Sequence, residues 1–142
     1  MAAPFTEDWI KINDLFIRYA AGVDQGDVAA INDCFTDTAV IESQAMGRFT
    51  GRAGVMEFAT RNAEFKKKSG AQLRHVVSNL RVQVDGNRAR AFCYLLDFMT
   101  REGKTELLSP GEYDCDLVKI GGEWRFERRT VVMDTPFKIA GL

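Results

Sequence analysis

Apolar residues near the start of the chain recur at helical spacing: Trp9, Ile12, Phe16, Tyr19 and Val23 share one face, with Leu15 beside them. Thr6, followed by Glu7 and Asp8, supplies a hydroxyl cap and acidic groups for a first turn, so the pattern predicts a helix that ends near Gly22. The tight link Asp24-Gln25-Gly26-Asp27 then leads into a second, short helix. Asp27 is the natural cap of that helix, and Val28, Ile31 and Phe35 form its buried side. "FTDTAVIES" reads as a turn into a short strand, and "MGRFTG" as a second extended piece ending at Gly51. Residues 52–68 return to helical spacing, with Val55, Phe58, Asn62 and Phe65 in one stripe. Three lysines, Lys66 to Lys68, close that helix where cations complement its dipole.

From Gln72 the period changes from helix to sheet. "LRHVVSNLRVQV", a turn at Asp85-Gly86-Asn87, and "RARAFCYLLDFMT" predict a hairpin. "REGK" turns the chain into a long third strand, "ELLSPGEYDCDLVKI", with a bulge at Ser109-Pro110-Gly111. Gly121-Gly122 opens a fourth strand, "GGEWRFERRTVVMDTPF". Helices first and an antiparallel meander last imply an α+β fold with the helices on one face of a curved sheet, and a single domain over 1–142. In the first long strand, alternation puts His75 on the face of Leu73, Val77 and Asn79. In the last, parity with Trp124 and Phe126 turns Arg128 inward and Arg129 outward, unless a bulge intervenes.

Composition narrows the function classes. The chain has 142 residues, 46% of them hydrophobic and 27% charged, with a net charge of −1. That profile fits a soluble globular protein with one core. The lysine run is too local for a nucleic-acid footprint, so no nucleic-acid partner is expected. "MAAPFTEDWIKIN" lacks a basic stretch followed by an apolar run, and no segment approaches the roughly 18 apolar residues of a membrane span. A cytoplasmic protein with no membrane partner is the expectation. Cys34, Cys93 and Cys115 are widely spaced, with no CxxC or Cys/His cluster, so they predict neither disulfides nor a zinc site but small packing residues. No metal or other cofactor is expected.

Two residues stand out chemically. His75 is the chain's one histidine, and imidazole can take and return a proton near neutral pH. Asp97 sits among Leu95, Leu96, Phe98 and Met99, where a carboxylate must be paired or raised in pKa, which makes it a candidate second acid in a pocket.

The order helix, short helix, short strand pair, helix and four-stranded meander resembles the nuclear-transport-factor-2-like (cystatin-like) superfamily, and within it the SnoaL-like branch. The phrases that carry the resemblance are "YAAGVDQGDVAAINDCFTDTAVIES", "GRFTGRAGVMEF", "LRHVVSNLRVQVDGNRARAFCYLL" and "GEWRFERRTVVMD", which together span nearly the whole chain. The resemblance implies a cone-shaped α+β barrel: three N-terminal helices packed on a strongly curved, mixed and mostly antiparallel sheet. Scytalone dehydratase, hexachlorocyclohexane dehydrochlorinase and bile-acid dehydratase are similar in pairing an aspartate after the first helix with a histidine in the first strand of the meander. Here those positions are Asp24 and His75.

The same resemblance implies substrate-binding roles for Tyr19 and for an arginine on the last strand, Arg129. Tyr19 and Asp24 are five apart, and a continuous helix would separate them by roughly 140°, so their convergence requires the helix to open near Gly22. The activity implied is a cofactor-independent lyase, a dehydratase acting on a hydrophobic cyclic substrate inside the cone. An isomerase or polyketide cyclase using Asp97 or Asp24 as base, an epoxide hydrolase with an Asp-Arg-Asp set, and a non-catalytic ligand-binding module remain alternatives. The resemblance also implies a homotrimer or homodimer formed through the open sheet face, to which Trp124 and "RFERRTV" are candidates to contribute.

Overall fold

The computed structural model describes residues 4–142. Helices α1 (Pro4–Gln25), α2 (Val28–Asp33) and α3 (Gly51–Ser69) interleave with strands β1 (Phe35–Ser43) and β2 (Gly47–Thr50). Strands β3 (Gln72–Asp85), β4 (Arg88–Arg101), β5 (Lys104–Ile120) and β6 (Glu123–Met133) follow. The strands form one mixed sheet in the order β2-β1-β6-β5-β4-β3. Neighbours joined by short turns pair antiparallel; β1 and β6, far apart in the chain, pair parallel.

Helix α1 buries Ile12, Leu15, Phe16, Tyr19 and Val23, the stripe expected from spacing, while Trp9 is half-buried. The helix does not open at Gly22 but continues to Gln25. Gly22 serves packing instead: a Cβ there would lie 3.1 Å from Ile31 Cγ1, so the missing side chain lets α2 approach closely. Asp27 caps α2 as predicted, its carboxylate accepting from Ala30 N at 3.0 Å. Phe35 lies one step past that helix and opens β1, but is buried all the same. The α3 stripe Val55, Phe58, Asn62 and Phe65 is buried throughout.

The core is strongly aromatic. Phe16 meets Phe126 edge-on with ring centroids 5.1 Å apart, and Tyr19 meets Phe35 and Phe126 at 5.7 and 5.8 Å.

Bulges in β3, β5 and β6 aim the side chains of the sheet. In β3, Ser78 pairs with Tyr94 but Arg81 pairs with Phe92, so two residues, Asn79 and Leu80, face the single Cys93. Asn79 takes up the bulge with φ 57° and is exposed, not inward with His75 as alternation predicts. Leu73, His75 and Val77 face the core before the bulge; Leu80, Val82 and Val84 do so after it. In β5 the predicted irregularity lies next to Ser109: Asp97 pairs with Ser109 and Phe98 with Leu107. Gly111 follows because Val132 O would be 2.7 Å from any Cβ at that position. In β6, Leu117 pairs with Phe126 and Asp116 with Arg128, leaving Glu127 as the extra residue. Thr36 and Thr38 of β1 hold it there, donating to the Glu127 carboxylate at 2.5 and 2.6 Å.

Trp124 is 1% exposed and donates through Nε1 to Asp8 at 3.0 Å. It belongs to the interior and does not form part of an outer face, contrary to the expectation that it contributes to a subunit contact. The last strand ends at Met133, not Phe137; in the segment beyond it, Phe137, Ile139 and Leu142 line the internal cavity.

Candidate active site

Asp24 sits in the last turn of α1, an unfavourable position for a carboxylate in the field of the helix dipole. What holds it is β3. The main-chain N–H of His75 donates to Asp24 Oδ2 at 3.0 Å, and His75 Nδ1 lies 2.5 Å from Asp24 Oδ1. Gln72 ties the same helix end down by donating to Asp24 O at 2.9 Å. With the carboxylate on Nδ1, that nitrogen carries the proton and Nε2 becomes the working atom. Nε2 faces Asp97 Oδ1 of β4 at 3.7 Å, beyond hydrogen-bond reach.

Burial opposes a charge on His75, but its hydrogen bond to Asp24 and the negative charges of Asp97 and Asp24 outweigh it, so its pKa is raised above the ordinary value of 6.5. Burial also raises the pKa of Asp97; the charge of His75 pulls it back only in part, and Asp24 adds to the rise. Burial pushes the Tyr19 hydroxyl up to about 12, so it stays a neutral donor. The buried thiols of Cys34 and Cys93 are likewise pushed up, to about 11 and about 12, and Cys115 rises well above its ordinary value. Such thiols act as packing groups, not nucleophiles.

The Glu127 bulge decides between the two arginines. Arg128 points outward, donating to Asp116 Oδ2 at 2.7 Å and to Asp114 Oδ1 at 3.0 Å. Arg129 is turned inward and is 2% exposed. Its guanidinium carbon lies 4.8 Å from the Tyr19 ring centroid, 5.0 Å from that of Tyr113 and 5.4 Å from that of Phe58. Arg129 Nε and Asp97 Oδ1 are buried without a hydrogen-bond partner among the described residues.

Tyr19, His75, Asp97 and Arg129 line one cavity of about 60 Å³ inside the cone. Asp24 stands behind His75 and does not line it, so Tyr19 and Asp24 need not converge: Tyr19 and Val23 face the cavity, and Asp24 faces β3. An Asp-Arg-Asp cluster is not formed, because Asp24 is engaged by His75 and Arg129 makes no ion pair among the described residues. Sequence reasoning missed Tyr113, Asn62, Phe137, Ile139 and Leu142, which also line the cavity. Asn62 left a trace, a polar residue within the apolar stripe of α3, and its amide donates to Phe58 O at 2.8 Å. The residues of the tail left none, since they lie outside any repeating pattern.

Known structures repeat this architecture. Rv3472 of Mycobacterium tuberculosis, a protein of unknown function, is 25% identical, with a TM-score of 0.80 over 89% of this chain and 76% of that one. A Novosphingobium aromaticivorans protein provisionally named an aromatic ring hydroxylase is 26% identical, with a TM-score of 0.79 over 95% and 94%. Another protein of that organism, provisionally named a scytalone dehydratase, shares the fold at 17% identity, with a TM-score of 0.80 over 94% and 90%. No curated protein matches the sequence. The family profile of the SnoaL-like domain matches residues 5–130, and the chain belongs to that family, on a cystatin-like α+β fold.

Proposed function

We propose that the protein is a cofactor-independent lyase of the dehydratase type, acting on a hydrophobic cyclic substrate held in the cone. The observation that carries this reading is the orientation of His75: Asp24 fixes Nδ1, and Nε2 is left facing Asp97 across the cavity that Tyr19 and Arg129 also line. Neutral His75 removes a proton made acidic by a neighbouring carbonyl or conjugated ring. The imidazolium, stabilised by Asp24, then returns a proton to the departing hydroxyl. Tyr19 donates to the carbonyl or leaving oxygen, and Arg129 stabilises negative charge that builds up on the substrate. Elimination of water thus needs one proton carrier and two fixed donors.

A second reading is an isomerase or cyclase with Asp97 as base, favoured by its buried, unpartnered Oδ1 at 3.7 Å from His75 Nε2. Screening β-hydroxy carbonyl and cyclic alcohol compounds with wild type, His75→Ala and Asp97→Asn separates the two. Turnover lost in His75→Ala but kept in Asp97→Asn supports the lyase; the reverse supports the isomerase. Turnover kept in both contradicts the acid–base role of the site.

A further inference from the structure

Arg129 raises a question that charge stabilisation during turnover does not answer. A guanidinium has five N–H donors and keeps its charge at any physiological pH. This one is 2% exposed, its Nε has no acceptor, and it makes no ion pair among the described residues. Its neighbours are the faces of Tyr19, Tyr113 and Phe58, which attract a cation but accept no strong hydrogen bond. Burying a charge in this way is costly unless something pairs with it.

The other charged groups do not compensate. The Asp24 carboxylate is committed to the ring and main chain of His75. Asp97, the remaining acid, faces His75 Nε2 rather than Arg129, and burial favours its neutral form. No carboxylate among the described residues therefore pairs with the cation that three aromatic rings surround.

We propose that Arg129 is a binding site for an anion in the ground state: the ligand is a flat ring bearing an ionised oxygen, an enolate, phenolate or ring carboxylate, whose charge sits on the guanidinium before any chemistry begins. The rings of Tyr19, Tyr113 and Phe58 fix the guanidinium plane, and the ligand oxygen supplies the acceptor that Nε and its neighbours lack. This rests on the reading of the cavity as the reactive site and deepens it, because it selects acidic ring compounds over neutral alcohols and steroids of the same size.

The probe is 4-nitrophenol, a single ring whose absorbance reports its own ionisation near neutral pH. It is titrated spectrophotometrically with wild-type protein in excess. An opposite charge within a few ångströms lowers an acid's pKa by about 1–3 units, so the bound phenol should ionise at least about tenfold more readily than the free one. Arg129→Met should abolish the shift, Arg129→Lys should retain part of it, and His75→Gln should leave it in place. A probe that binds only as the neutral phenol, or fails to bind at any pH, overturns the proposal. So does a shift that disappears in His75→Gln yet survives in Arg129→Met, since the charge would then reside on the imidazole. The lyase reading fails separately, by the activity of His75→Ala.

Discussion

The two ends of the cone treat buried polar groups in opposite ways. At one end, Asp8 accepts from Trp124 Nε1 at 3.0 Å and from Lys119 Nζ at 2.9 Å, so a buried indole is satisfied. At the other, Asp97 Oδ1 and Arg129 Nε are buried without partners. Folding alone favours the first arrangement and opposes the second. The contrast teaches where to look for function: of the three buried groups without partners among the described residues, those of Asp97 and Arg129 share a cavity with His75, where a ligand could complete them, while Arg101 Nε lies outside it, over the Phe65 ring.

The largest effect that would break or sharpen this contrast is on turnover. His75→Ala removes the proposed proton carrier and should lower kcat/KM by about 10²–10⁴-fold on any compound the wild type converts. It should also lower stability, because the buried Asp24 carboxylate loses its ring partner, so the activity is compared at a temperature where both proteins are folded. Next comes Asp8→Ala, which strips an acceptor from Trp124 and a counter-charge from Lys119. It should cost about 1–3 kcal/mol in urea denaturation and leave turnover unchanged. Arg129→Met should do the opposite, with turnover lost and stability within about 1 kcal/mol of wild type or higher, since an unpaired buried charge is replaced by an apolar chain of similar length.

The two ends should also respond to pH with opposite sign. His75 and Asp97 have raised pKa values in the folded protein, so their contributions are fully present below the ordinary values of 6.5 and 3.8. They fade as pH rises through the folded values. For Asp8, burial acts to raise the pKa, but hydrogen bonds from Lys119 and Trp124 and nearby positive charge lower it overall. Its contribution is present above 3.8 and is lost as pH falls through the folded value. Denaturation midpoints followed against pH should therefore lose a decline with rising pH above 3.8 in Asp97→Asn and a decline with falling pH below 3.8 in Asp8→Asn. The smallest effect expected is at Phe137. Phe137→Ala should cost about 1 kcal/mol or less, because the ring is only half-buried, while enlarging the cavity it lines and speeding uptake of an apolar dye in stopped-flow fluorescence.

What the sequence made legible follows from the range of each signal. Periodic burial is local, so the α1 and α3 stripes and the Asp85-Gly86 hairpin turn could be read directly, as could Asp27 as a cap. Facing within a strand depends on every residue before it, and one bulge reverses it. Parity from Trp124 turns Arg128 inward; the extra Glu127, held from β1 by Thr36 and Thr38, turns Arg129 inward instead. The partners that fix that bulge lie about 90 positions away in the chain, beyond any window of alternation. Asp24 and His75 came from family resemblance, and the structure pairs them; the helix break expected for Tyr19 and Asp24 to converge does not form, because Asp24 meets β3 behind the cavity that Tyr19 lines. Trp124 served both as an inward-facing reference for parity and as a candidate contact residue, and its hydrogen bond to buried Asp8 decides for the first.

The most direct test of the account is a proton-NMR pH titration of the His75 ring, free of overlap because it is the chain's one histidine, in wild type and in Asp24→Asn. The account predicts a wild-type pKa above 6.5 that falls when Asp24 is neutralised. Identical titration in the two proteins, or a wild-type pKa at or below 6.5, would contradict it.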